Sequence, residues 1–351
     1  SAFYGVDQDG YAFAEFIAQF LSKYGRWNSP KYIFGESYGT TRAAVLANIL
    51  GTRRGIDLNG VIMLSQILNF DLSADGPEAN PGIDLPYQLV LPTYAAAAWY
   101  HHKIPGPQRA LEQLLPEVER FALNEYALAL QAGAGLDPAR REAIAQRLHA
   151  YTGLPVDYIK KANLRINGGV FDKMLQDDNG LTTGRLDARF SGPSIDPLSK
   201  QADYDPQFAA IGSAYIAAFN DYARKQLKYG ETTTYRGLGA LNVNWDFTHA
   251  QPGSSDSFSQ TTNVMPDLAN VMIQNPNLKV LLTGGYYDLA TPFFEGAYEM
   301  QHLAIPQRLQ SNIEYRFYPS GHMIYANAPS LRRLHDDVAS FVNRTGNVGR
   351  Q

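Results

Sequence analysis

Short apolar runs rich in aromatic and β-branched residues alternate along this chain with stretches whose apolar positions recur every three or four residues, a pattern of strands joined by helices. The first periodic stretch, residues 9–24, puts Phe13, Phe16, Ile17, Phe20 and Leu21 on one helical face and ends near Gly25. Residues 32–34 (YIF) then read as a buried strand, and residues 40–50 (TTRAAVLANIL) as an amphipathic helix. A second apolar run of strand length follows at 60–70 (GVIMLSQILNF). Strand, helix and strand in succession imply a parallel sheet.

From about residue 87 to 245 the pattern becomes helical, with helices predicted over 108–132, 138–151 and 207–229. Residues 190–205 (FSGPSIDPLSKQADYD) read as a surface loop. Strand signals return at 278–283 (LKVLLT) and 313–318 (IEYRFY), separated by a helix at 293–303 and followed by a closing helix at 330–343. The fold class is therefore α/β, with a mainly parallel central sheet split by a large helical insertion. We divide the chain into a first core part (1–90), a helix-rich cap (91–255) and a second core part (256–351).

Composition narrows the field. The chain has 351 residues, 45% hydrophobic and 18% charged, enough to bury a large core. A net charge of −4 without a basic cluster argues against nucleic acid as a partner. No apolar run approaches the roughly 18 residues of a membrane span. Zero cysteines exclude disulfides, thiolate metal sites and a cysteine nucleophile.

The chemistry centres on Gly35-Glu36-Ser37-Tyr38-Gly39, which stands between the first strand and the first buried helix. Glycines two residues either side of Ser37 leave room for a sharp turn, which lifts its hydroxyl above the sheet at a helix N-terminus. A hydroxyl needs a base, and the base needs a carboxylate to hold its tautomer. On the α/β-hydrolase pattern these follow in the order Ser, acid, His, each on a loop after a strand. Asp288 lies in such a loop after 278–283, within Gly284-Gly285-Tyr286-Tyr287-Asp288. His322 does so after 313–318, within Ser320-Gly321-His322-Met323. Of the other histidines, His302 and His335 fall in helical patterns, while His101, His102, His149 and His249 precede the acid. Adjacent His101 and His102 lack the spacing of a metal site, so neither metal nor cofactor is expected.

These segments carry a family resemblance. The chain resembles the serine carboxypeptidases of the S10 peptidase family, its bacterial members in particular. The likeness rests on residues 26–32 (RWNSPKY) running into Gly35–Thr40 (GESYGT), on the Asp288 and His322 loops, and on cap segments 91–101 and 184–190 (GRLDARF). It implies an α/β-hydrolase fold, a triad of Ser37, Asp288 and His322, and release of C-terminal amino acids from peptides bearing a free carboxylate. Glu36, kept protonated, would hold that carboxylate, the Tyr38 N–H would serve the oxyanion hole, and Met323 would line the side-chain pocket. Alternatives on the same fold are an acyltransferase or esterase, or an inactive fragment. The family's second oxyanion donor comes from an Asn-Gly-Gly-Pro-Gly segment before the nucleophile. None precedes Ser37, and Asn167-Gly168-Gly169-Val170 lies in the cap. The reading therefore expects N-terminal strands to be missing from this chain. The resemblance also suggests export from the cytoplasm, and oligomeric state stays open.

Overall fold

The computed structural model describes residues 3–235, 244–253, 257–258 and 261–346. Its central sheet is formed by β1 (Tyr32–Glu36), β2 (Gly60–Leu64), β7 (Lys279–Gly285) and β8 (Ile313–Tyr318) in that spatial order. Every pairing is parallel. The register aligns Glu36 with Leu64, Leu64 with Thr283 and Thr283 with Arg316, so all four strands end on one side.

Helices cover both faces of the sheet, and this is why β2 is buried at every position. Val61, Met63, Val280 and Leu282 pack in one cluster with α2 (Tyr38–Arg54) and α10 (Met265–Gln274). The alternate residues Ile62 and Leu281 pack against Phe341 of α12 (Ala328–Thr345) on the other face. Phe341 is fully buried, and a side chain on Gly60 would lie 2.7 Å from its ring. Phe341→Ala is expected to cost about 3–5 kcal/mol through the cavity it opens under the sheet. Urea unfolding with an unchanged m-value would check this.

The first helix is where expected, but only part of its apolar face turns inward: Ile17 and Leu21 pack against the core. α1 (Val6–Lys23) buries Asp9, Gly10, Ala14 and Leu21, whereas Phe13, Phe16 and Phe20 are exposed by 41%, 62% and 46%. Two stripes of helical period run along this segment. The small-residue stripe packs on α2: a Cβ at Gly10 would sit 2.9 Å from Val45 Cγ1 and 3.1 Å from Ile49 Cδ1. Close approach of two backbones thus turns the aromatic stripe outward. β1 is likewise not a buried strand, since it pairs only with β2 among the described residues and Phe34 is 50% exposed.

Within the cap, α3 (Leu85–Tyr100) runs through the middle, buried from Pro86 to Ala98 despite Pro92 inside it. Tyr94 stacks on Phe171 with ring centroids 4.0 Å apart. The predicted helix over 108–132 is α4 (Leu111–Phe121) and α5 (Ala127–Ala132), joined through a π-helical turn, Ala122–Tyr126. Then come α6 (Pro138–Thr152), α7 (Val156–Lys161) and α8 (Gly168–Met174). Residues 190–205 are not wholly loop, because β4 (Ser191–Pro193) pairs antiparallel with β3 (Leu181–Thr183). Asp205 caps α9 (Pro206–Lys225), accepting from Phe208 N at 2.9 Å. The hairpin β5 (His249–Ala250) and β6 (Ser257–Phe258) follows. The expected boundary between residues 255 and 256 lies outside the described residues. α11 (Phe293–Gln301) connects β7 to β8.

His249 ties three of these elements together. It is 5% exposed, with Nδ1 2.5 Å from Asp7 of α1 and Nε2 2.7 Å from Asp267 of α10. Asp267 also accepts from Asn48 of α2 at 2.9 Å. Burial alone would lower the imidazole pKa, but hydrogen bonds and charge from both carboxylates raise it from 6.5 to about 9. A group whose folded pKa lies above its unfolded value stabilises fully below the unfolded value and loses that contribution as pH rises through the folded one. The thermal midpoint is therefore expected to fall between about pH 6.5 and 9. His249→Gln should lack this slope; an unchanged slope would assign it to other groups.

Candidate active site

The turn between β1 and α2 holds Ser37 at φ 55° and ψ −126°, a left-handed conformation that non-glycine residues adopt at a cost. Ser37 N donates to Leu64 O at 2.9 Å, and Thr40 Oγ1 donates back to Ser37 O at 2.7 Å. The two flanking glycines differ in what they permit. A Cβ on Gly35 would lie 2.1 Å from Gly39 O, so that position must be bare. A Cβ on Gly39 would meet nothing within 4 Å. Tyr38 N, the first amide of α2, donates to no acceptor among the described residues, as the opening N–H groups of a helix require of their geometry. The Tyr38 ring packs edge-on to Trp245 at 5.2 Å and under Arg42 at 5.3 Å.

Two strands away, β7 ends in the turn that carries Asp288. This carboxylate is fully buried, and its oxygens are all occupied by donors. Oδ1 accepts from Ala290 N at 2.9 Å and Thr291 N at 3.0 Å; Oδ2 accepts from Thr291 Oγ1 at 2.7 Å and pairs with His322 Nδ1 at 2.9 Å. Such saturation lets a carboxylate stay charged away from water. Because Nδ1 faces a carboxylate it carries the proton, which leaves the Nε2 lone pair as the basic position. Burial would lower the His322 pKa, but the charge and hydrogen bond of Asp288, with a contribution from Glu36, raise it above the ordinary value.

The His322 loop is pinned to the sheet at two points. Ser65, at φ 52° just beyond β2, donates its hydroxyl to His322 O at 2.7 Å. Tyr325 OH donates to Glu36 Oε1 at 3.0 Å and Oε2 at 3.2 Å, joining the His322 loop to the residue before Ser37. Glu36 is half-buried, and that burial raises its pKa above the usual carboxylate value, against the opposing effects of Tyr325 and His322. Met323 is half-buried beside His322. The Ser37 hydroxyl makes no hydrogen bond with His322 among the described residues; such contacts often tighten only with substrate bound.

The structure thus brings Asp288 and His322 into contact and sets Glu36 and Ser37 at the end of the neighbouring strand pair. Thr291, Ser65 and Tyr325 join the site only in the folded structure. A Thr three residues after an Asp is a local turn signal that points to Thr291; nothing local marks the other two. The remaining histidines stay apart. His302 stacks on Tyr298, His335 is exposed, His149 bonds Leu154 O, and His101 bonds Ala188 O. Asn167 caps α8 by accepting from Val170 N at 2.9 Å, which accounts for the Asn-Gly-Gly segment as a helix start. Among the described residues no cluster of three His, Cys, Asp or Glu could hold a metal ion, and no helix is long and apolar enough to cross a membrane.

No family model matches the chain, and no curated protein matches it. Among solved structures the chain is similar to VinJ, with 13% identity over 98% of this chain and 74% of that one, at a TM-score of 0.32. That likeness carries no argument about activity. What the chain presents is a mixed α/β architecture on a parallel sheet, with a buried Asp288–His322 pair at the carboxyl ends of its strands.

Proposed function

We propose that this chain is a serine-type carboxypeptidase of the α/β-hydrolase fold, with Ser37 as nucleophile, His322 as base and Asp288 as its orienting carboxylate. The observation that carries the reading is the fully buried Asp288 hydrogen-bonded at 2.9 Å to His322 Nδ1, on the sheet edge where Ser37 is held at positive φ. In this reading His322 Nε2 takes the Ser37 proton as Oγ attacks the last peptide carbonyl. The tetrahedral oxyanion forms against the Tyr38 N–H. His322 then protonates the departing amino group, leaving an acyl-enzyme that water cleaves by the same steps in reverse roles.

Glu36 supports an exopeptidase over a general esterase. A charged carboxylate beside the nucleophile would oppose the oxyanion, and burial here favours the neutral acid. A protonated Glu36, steadied by Tyr325, shares its proton with the substrate's terminal carboxylate. Met323 is assigned to the side-chain pocket. A peptide with a free C-terminus should be cleaved and its C-terminal amide should not; equal cleavage would remove the carboxypeptidase reading. An added amine that diverts most of the acyl group from water would instead favour acyl transfer.

The pH dependence follows from the raised pKa of Glu36. Recognition by the neutral acid is complete below that pKa and is lost as pH rises through it. Peptidase kcat/KM should therefore carry an alkaline limb absent from the hydrolysis of small esters without a carboxylate. Glu36→Gln, which donates but cannot ionise, should move that limb upward. Superimposable ester and peptide profiles in the parent enzyme would show that Glu36 has no such role.

A further inference from the structure

The cap segment 184–190 (GRLDARF) reaches both loops of the acid–base pair. It is a closed turn: Gly184 N donates to Phe190 O at 2.9 Å, and Phe190 N donates to Asp187 O at 3.0 Å. Inside it, the buried Asp187 is gripped by Arg189, with Nε to Oδ1 at 2.9 Å and Nη2 to Oδ2 at 2.6 Å. Toward the acid loop, Ala188 N donates to Tyr287 O at 2.9 Å and Leu289 N donates to Arg185 O at 3.0 Å, bracketing Asp288 on either side. The Arg189 guanidinium also lies 5.2 Å above the Tyr287 ring.

Toward the base loop, His322 N donates to Leu186 O at 2.6 Å, and Arg189 Nη1 donates to Pro319 O at 2.7 Å. The contact is close enough to demand glycine: a Cβ on Gly321 would lie 2.4 Å from Asp187 Cβ and from Leu186 O. The segment is itself anchored, by Leu186 N to Asp205 at 2.7 Å, by Arg185 to Asp75 and by His101 to Ala188 O at 2.6 Å.

We propose that the Asp187–Arg189 pair is a positioning device, which holds the turn 184–190 as a clip between the Asp288 and His322 loops and so sets the carboxylate–imidazole geometry. Neither residue touches the reacting atoms; both act through the backbone of the two loops. Beyond the ends of β7 and β8 the two loop backbones bond each other directly once, Tyr287 N donating to Ser320 O at 3.1 Å, and the clip adds backbone bonds on either side of Asp288 and at His322 itself. The inference rests on the proposed triad only for its consequence in catalysis, not for the geometry it describes.

Arg189→Lys tests it. Lysine keeps the charge beside buried Asp187, and with it the fold, but lacks the planar fork that grips Asp187 and reaches Pro319 together. The readout that needs no activity is the downfield proton resonance of His322 Nδ1–H, assigned by its disappearance in His322→Gln. We expect it to broaden or move upfield in Arg189→Lys while the thermal midpoint stays near that of the parent. With peptide substrate, kcat should fall by up to about 10²-fold, the usual cost of misplacing a catalytic group by about 1 Å, with KM little changed. Arg189→Ala should be worse in both respects. A folded Arg189→Lys with the parent's resonance and kcat overturns the proposal. Failure of a fluorophosphonate to label Ser37 in the parent enzyme would count against the triad, while the resonance would still report on the clip.

Discussion

Ser37→Ala is expected to lower kcat for peptide hydrolysis on the order of 10⁶-fold, with KM changed far less. Alanine keeps the Cβ, so the turn at φ 55° and its backbone bonds to Leu64 and from Thr40 are unaltered. What is lost is the only atom that can carry the acyl group. Residual catalysis would come from the oxyanion donor and substrate binding alone. The matching measurement is covalent: a fluorophosphonate should add one mass label to the proteolytic fragment containing Ser37 and none to the Ser37→Ala protein. Labelling that survives the substitution would place the nucleophile elsewhere and dismantle the triad.

Asp288→Asn should cost about 10⁴-fold in kcat while leaving the substrate site intact. The hydrogen-bond inventory says why. Oδ1 accepts two backbone N–H groups, and Oδ2 faces two further donors, Thr291 Oγ1 and the Nδ1–H of His322. An asparagine can satisfy the backbone pair with its oxygen, but its NH₂ then points at two donors. The imidazole answers by moving its proton to Nε2, which removes the lone pair that faces the nucleophile. Leaving buried groups mismatched should also lower stability by about 1–3 kcal/mol. Kinetics and thermal unfolding on one preparation separate the two effects. A folded Asp288→Asn within tenfold of the parent would mean that Asp288 does not orient the base.

Much of this site was legible along the chain because its chemistry is local. The motif 35–39 sits on one turn, and Asp288 and His322 each follow their own strand within a glycine-containing loop. The structure puts the latter two in contact, as the order and placement of the loops predicted. Of the two flanking glycines the turn requires Gly35, where the chain folds back on Gly39 O, and not Gly39, which faces open space. Thr291 belongs to the same local grammar. Tyr325 and Ser65 do not, because their partners Glu36 and His322 are 289 and 257 residues away along the chain.

The first helix shows the limit most clearly. Periodicity announces the helix and its apolar face, of which Leu21 is buried and Ile17 packs against the core. Packing turns Phe13, Phe16 and Phe20 outward, since Gly10 and Ala14 allow α1 to approach α2 more closely than any phenylalanine would. Pattern along the chain thus set the elements, the parallel sheet and the candidate site residues Ser37, Asp288 and His322, because each depends on neighbours a few residues apart. Which helix face is buried, that β1 has one strand partner among the described residues, and that a cap turn at 184–190 bonds the loops of both Asp288 and His322 are matters of long-range contact. Those depend on shapes and hydrogen-bonding groups that meet only when distant segments pack, and no local period encodes them.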